Sequence, residues 1–198
     1  MTMTKVPCIL FVFLIVAPSS MTIAQEDLPS FSLTPFASYE KFTPAADLDA
    51  GFGFGIAATY SLSASILLEI AAHTGSAREQ FDLVGRTASL QVRHTTYQLQ
   101  VHYLVVHLPS IADAYATAGL GLFRLSTDEQ HVSLGAVGQL RVPGRSETRA
   151  LSSVGMVLSR AFSPGVAVRL EPQLMLLSPL SDSQSNFMIS GGVTFVVF

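Results

Sequence analysis

The chain has 198 residues, 49% of them hydrophobic and 13% charged, with no tryptophan and a formal net charge of −3. Charged residues make up about 25% of an ordinary soluble domain, so this surface is unusually apolar. The mild negative charge offers nothing to a nucleic-acid partner, and the length suits one domain with a substantial core.

The first element is a targeting segment. Lys5 supplies the early positive charge, and Ile9 to Ala17 form a short apolar run that Pro18-Ser19-Ser20 breaks. Thr22-Ile23-Ala24 places small residues at both cleavage-site positions. This is the signal-peptide pattern, and the run is too short to cross a bilayer as a helix. Cleavage is expected after Ala24, which leaves residues 25–198 as one folded domain. The one cysteine, Cys8, lies in the removed segment with no lipobox-like Leu-Ala-Gly before it. The mature chain is therefore expected to have no disulfide and no thiolate chemistry.

No later stretch reaches the ~20 consecutive apolar residues of a membrane helix. The signal is instead alternation of period two, the mark of strands. Residues 31–40 set Phe31, Leu33, Ala37 and Tyr39 against Ser32, Thr34, Ser38 and Glu40, with Pro35 deleting one ladder hydrogen bond. Residues 51–62 set Phe52, Phe54, Ile56, Ala58, Tyr60 and Leu62 against glycines, Ala57, Thr59 and Ser61. Residues 65–74 set Ile66, Leu68, Ile70 and Ala72 against Leu67, Glu69, Ala71 and His73. In 95–105, Tyr97, Leu99, Val101, Tyr103 and Val105 oppose Thr96, Gln98, Gln100 and His102. Residues 114–125 are ambiguous. The face of Tyr115 and Phe123 is read as outward, because eight residues at about 3.3 Å each match an apolar band ~25 Å tall between aromatic girdles. Residues 151–160 set Val154, Met156 and Leu158 against Ser153, Gly155 and Ser159. Residues 166–176 set Val168, Leu170, Leu174 and Leu176 against Arg169, Glu171, Gln173 and Met175. The last strand, about 186–198, shows Phe187, Ile189, Val193, Phe195 and Val197 on one face.

Eight strands with a large apolar set opposite a small or polar set predict a closed, up-and-down antiparallel transmembrane β-barrel, apolar outside. Short links are expected near 61–65, 106–113 and 161–165. Long polar loops are expected near 40–50, 75–94, 126–150 and 178–185. An even strand count puts both termini on one side. A soluble, lipocalin-like barrel would bury the apolar face, which the glycine, serine, glutamine and charged residues on the opposite face argue against.

The hairpin rhythm over 31–198 and the terminal strand resemble the small OmpA/OmpX-type bacterial outer-membrane barrels. That family carries a C-terminal assembly signal of the form polar–x–Gly–x–x–aromatic–x–aromatic. Ser190, Gly192 and Phe195 match it, Val197 stands at the second aromatic position, and Phe198 is one step out of phase. The resemblance implies Sec-type export to the outer membrane, periplasmic termini, long loops facing outward, and reading of the last strand by the barrel assembly machinery. The family contains anchors, adhesion and resistance proteins, narrow channels and a few lipid-modifying enzymes, so the fold alone names no task.

The interior face carries Glu69, His73, His102, Arg169 and Glu171, with Arg124 a further candidate. The plain reading is a polar network that fills a narrow lumen, each charge paired because an unpaired one is costly. Glu69 and His102 are expected to face each other. No His-x-His or His-x-x-x-His spacing joins His73 to His102, so no metal ligand set is expected. His131-Val132-Ser133 has the spacing that lipid A deacylases of this architecture use, but it falls in a polar link, and no Gly-x-Ser-x-Gly is present. Gly119 and Gly121 read as strand-packing positions. Arg78, Arg86, Arg93, Arg141, Arg145 and Arg149 lie in the links, where guanidinium forks suit lipopolysaccharide phosphates. The sequence thus predicts a non-enzymatic envelope or surface protein with a side-chain-filled lumen and no cofactor, and leaves its oligomeric state open. A narrow channel for small or apolar solutes is the first alternative and a lipid-modifying enzyme the second.

Overall fold

The computed structural model describes residues 30–43, 48–83, 86–108, 112–133, 139–177 and 184–197. The expected signal peptide, residues 1–24, and Phe198 lie outside them. Among the described residues the strands are β1 (Phe31–Lys41), β2 (Gly51–Ser63), β3 (Ile66–Leu83), β4 (Arg86–Leu108), β5 (Ala112–Thr127), β6 (Gln130–Ser133), β7 (Gln139–Val142), β8 (Arg145–Ser163), β9 (Val166–Leu177) and β10 (Gln184–Val196). Eight of them close an antiparallel barrel in the order β1-β10-β9-β8-β5-β4-β3-β2, while β6 and β7 form a separate hairpin. First and last strands pair directly, from Ser32 with Val196 to Lys41 with Phe187. The closed barrel has no free sheet edge, as a lipid-embedded sheet requires.

Two prolines test that closure, because each removes a ladder donor. The β1–β10 ladder passes from Leu33–Phe195 to Phe36–Gly192 without bonding at Thr34 and Pro35, yet keeps its register. Pro35 still sits opposite Ile56 of β2. Pro172 does the same on β9. The β8–β9 ladder steps from Gly155–Gln173 to Leu158–Leu170, and Pro172 pairs with Ile189 on the other side. Register shifts occur at Ser61/Ser63, Leu104/Val106 and Ala161/Ser163, all beside the short connections. Bulges at a barrel rim turn the chain sharply without disturbing the wall. Gly165, at φ 88°, completes the turn from β8 to β9, a conformation glycine adopts without a Cβ penalty. This end is the turn rim, and the opposite end is the loop rim.

The wall changes polarity along its length. In the turn-side part the outer face is apolar (Phe54, Ile70, Leu99, Val154) and the inner face is polar (Thr59, Glu69, Gln100, Arg169). Toward the loop rim the pattern inverts. Phe42, Ala77, Phe123, Leu151, Met175, Leu177 and Met188 form one buried cluster inside, with Leu48 and Leu125 against it. Ser89, Gln91 and Arg93 there face outward and are exposed. Such a wall is lipid-facing below and water-facing above, with an apolar core only where water lies outside.

That inversion corrects two sequence expectations. First, β5 has the opposite facing: Leu120 and Leu122 are 69% and 52% exposed, whereas Phe123 is 3% exposed. Gly119 and Gly121 face inward, and a Cβ on Gly121 would collide with the Tyr97 carbonyl. Phe123 is large because it belongs to the apolar core of the mouth, not to a lipid girdle. Arg124 accordingly points outward, its Nε donating to Ser146 Oγ at 3.1 Å. Second, the links at 75–94 and 126–150 are largely strand. β3, β4 and β8 run 18, 23 and 19 residues, against about 9–11 needed to cross a bilayer. Their outer residues are polar because they stand beyond the apolar band.

The natural absence of tryptophan makes the facing of β5 testable. Leu120→Trp should give fluorescence that brominated lipid quenches strongly, and Phe123→Trp fluorescence that it quenches weakly. The reverse order would restore the girdle reading of Phe123.

Candidate functional site

The lumen is crossed by three sets of polar side chains. Nearest the turn rim, Arg169 of β9 reaches Glu69 of β3. Its Nη1 donates to Glu69 Oε2, and its Nη2 donates to Glu69 Oε1 at 2.9 Å and to Glu171 Oε2 at 2.6 Å. Thr59 Oγ1 donates to Glu69 Oε2 at 2.8 Å. His102 of β4 stands beside the same carboxylate, Nε2 at 3.7 Å from Oε1. In the circular strand order, β3 and β9 are diametrically opposite. The fork of Arg169 therefore ties the two far walls together through a two-point contact that sets orientation as well as distance. All these groups are buried, and the two carboxylates compensate a guanidinium that is otherwise expensive to desolvate.

The middle set is a ring of three amides. Gln98 Nε2 donates to Gln173 Oε1 at 3.3 Å, Gln173 Nε2 to Gln100 Oε1 at 3.3 Å, and Gln100 Nε2 to Gln98 Oε1 at 2.9 Å. Each side chain both gives and accepts, so the ring is closed on itself and again links β9 to β4.

The third set lies just beneath the apolar core. Glu40 of β1 places Oε1 2.7 Å from His73 Nε2 of β3 and Oε2 3.1 Å from His94 Nε2 of β4. The two imidazoles are 5.3 Å apart between ring centroids. Phe36 stacks on His73, Phe42 meets His94 edge-on at 5.6 Å, and Phe123 stacks on His94 at 5.8 Å. Among the described residues this is the group whose donor atoms converge as metal ligands do, all within 4.8 Å.

The five lumen residues read from the sequence thus fall into two separate groups. Glu69, His102, Arg169 and Glu171 stand together, and His73 belongs to Glu40 and His94. Glu40 and His94 escaped sequence reading for different reasons. Glu40 ends a weak, proline-interrupted strand. His94 lay in a stretch read as a loop, although it keeps even spacing with Thr96, Gln98, Gln100 and His102 on the inner face of β4.

Above the core, a recess of about 180 Å³ opens at the loop rim, floored by Phe42 and Phe123 and edged by Glu79, Arg145, Glu147 and Arg149. Arg145 Nη2 contacts both oxygens of Glu79 at 2.7 and 2.5 Å, Arg149 Nε donates to Glu147 at 2.7 Å, and Arg141 Nε to Glu129 at 2.7 Å. Arg78 and Arg93 lie exposed on the outer face of β3 and β4. Arg86 begins β4, and its side chain lies outside the described set, as do those of His131, Val132 and Ser133. Ser190 and Gly192 line the seam with β1, where a Cβ on Gly192 would meet the Pro35 carbonyl at 2.6 Å. Phe195 points outward.

No protein-family profile matches the chain, and no curated protein is detectably similar to it in sequence. Solved structures do resemble it. Neisserial surface protein A, NspA, is 18% identical with a TM-score of 0.58 over 83% of this chain and 96% of that one. OprG, an outer membrane protein from Pseudomonas aeruginosa, is 10% identical with a TM-score of 0.57 over 86% and 97%. A major outer membrane protein from Thermus thermophilus is 12% identical with a TM-score of 0.56 over 84% and 99%. At such identities the likeness is one of fold, and the chain has the OmpA/OmpX-type fold of the small eight-stranded outer-membrane barrels.

Proposed function

We propose that this protein is a non-enzymatic outer-membrane barrel with a filled lumen, serving an envelope or surface role. The observation that carries this reading is the bridge from Arg169 to Glu69 between diametrically opposite strands. An interior of eight strands is only about wide enough for side chains. Here the bridge, the glutamine ring and the apolar cluster of Phe42, Phe123, Met175 and Met188 occupy it at successive levels. After export by the N-terminal signal, the turn rim and both termini face the periplasm and the loop rim faces outward. The terminal strand, with Ser190, Gly192 and Phe195, is the part offered to the assembly machinery.

The outer face of the extended wall supports contact with lipopolysaccharide. Arg78, Arg93 and Arg124 stand exposed on the neighbouring strands β3, β4 and β5, beyond the apolar band where lipid phosphates lie. Arg141, Arg145 and Arg149 are held by Glu129, Glu79 and Glu147 and are the weaker candidates for that contact.

In planar-bilayer recording the folded protein should give no reproducible conductance steps. Discrete steps altered by Glu171→Ala would instead establish the narrow channel. Arg169→Ala should cost about 3–5 kcal/mol in urea unfolding from lipid vesicles, because it strands two buried carboxylates. A loss below about 1 kcal/mol would show that water reaches these groups and that the lumen is open. Replacing Arg78, Arg93 and Arg124 together by Gln should weaken lipopolysaccharide binding and flatten its salt dependence, with folding unchanged. Equal retention of lipopolysaccharide by both proteins would remove this outer face as the contact.

A further inference from the structure

Glu40, His73 and His94 stand apart from the rest of the lumen. Glu40 and His94 are 0% exposed and His73 is 5% exposed. Glu40 meets both rings at ion-pair distance, 2.7 and 3.1 Å, but these contacts are poorly aligned as hydrogen bonds. Both Glu40 oxygens, His73 Nε2 and both nitrogens of His94 have no hydrogen-bond partner among the described residues. Buried polar atoms are nearly always satisfied, and leaving one unmade costs about 1–3 kcal/mol. Of these, the Glu40 carboxylate and the Nε2 atoms of His73 and His94 converge, within 4.8 Å of one another.

The surrounding chain keeps that point clear. Gly53 and Gly75 are paired across β2 and β3. A Cβ on Gly53 would sit 2.5 Å from His73 Nε2, and one on Gly75 would sit 2.5 Å from His94 Nε2. Two glycines thus leave open the space at the two nitrogens that face the carboxylate. Phe36, Phe42 and Phe123 fix the imidazole planes from the other sides.

We propose that Glu40, His73 and His94 form a lumenal binding site for a divalent first-row transition ion, with Zn²⁺ the expected occupant. Two imidazole nitrogens and one carboxylate are the donor set such ions take, and the hard ions Ca²⁺ and Mg²⁺ prefer all-oxygen shells. Ligands at about 2.0–2.2 Å from a tetrahedral zinc lie roughly 3.4 Å from one another. The three donors here already lie within 4.8 Å, so small side-chain rotations place three ligands of a tetrahedral ion, with water as the fourth. One ion satisfies both Nε2 atoms and the carboxylate together. It also ties β1, β3 and β4 across the lumen, above the bridge of Arg169. The recess at the loop rim lies directly above the site, its floor residues Phe42 and Phe123 being the rings packed on His94.

The test uses the full chain folded in detergent and freed of metal by chelator, with Zn²⁺ and Co²⁺ as probes. Calorimetric titration with Zn²⁺ should give one ion per chain, and Co²⁺ should give the visible absorption of a tetrahedral site. Glu40→Gln, His73→Asn and His94→Asn should each weaken Zn²⁺ binding at least tenfold. His107→Ala, which removes the exposed His107–Asp113 pair at the turn rim, should leave binding intact. Folding of each variant is read from its heat-modifiable electrophoretic mobility. X-ray absorption of the Zn²⁺-loaded unmodified protein gives a readout independent of variants and should show two imidazoles in an N/O shell. Zn²⁺ should also raise the unfolding temperature of the unmodified protein and not that of His94→Asn. Absence of stoichiometric uptake, uptake lost only in His107→Ala, or a shell with fewer than two imidazoles would overturn the site.

Discussion

One guanidinium decides how this barrel is filled. Arg169 leaves β9, crosses the lumen and takes both oxygens of Glu69 on the opposite wall, with Glu171 as its second carboxylate. A charge in that position has no water shell to fall back on, so its partners must be placed within a few tenths of an ångström. The sheet around it is bound by that demand. Thr59 and His102 close around Glu69 from β2 and β4, and the strands that carry them cannot slide by one residue without turning these side chains into lipid.

Above that level the interior is built in distinct layers. The glutamine ring spends every amide on another amide. The next level is the His73–Glu40–His94 group, and above it an apolar cluster fills most of the mouth. The layering follows what lies outside the wall. Where lipid surrounds the barrel, burying apolar groups inward brings little advantage over leaving them in lipid, and the inside is free to be polar. Where water surrounds it, the ordinary hydrophobic effect returns and the apolar side chains move inward. The long strands β3, β4 and β8 stay paired beyond the bilayer because this second, smaller core supports them. The β6–β7 hairpin rests on β4 through the mutual bonds of Gln130 and Gln91.

The charges at the mouth and the charges in the lumen obey different rules. The pairs of Arg145 with Glu79 and Arg149 with Glu147 are solvent-exposed and worth little each. They organise the rim more than they hold the fold. The buried groups carry more consequence, because most of them join one strand of the wall to another across the lumen.

Much of this protein was legible along the chain. The eight barrel strands, their antiparallel order and the facing of seven of them follow from period-two alternation, because lipid accepts only apolar side chains and the pleat sends neighbours to opposite faces. Residues such as Phe54, Ile70, Leu99 and Val154 announce themselves in that way. The facing of β5, the strand character of 75–94 and the pairing of His73 were decided by the tertiary structure. Phe123 faces inward because the mouth has its own apolar core, which no rule of the lipid zone foretells. Glu40 meets His73 and His94 because closure and stagger of the sheet bring β1 across from β3 and β4. Such partners are set by the geometry of the closed ring, and a strand read by itself holds no record of what stands on the far side of the lumen.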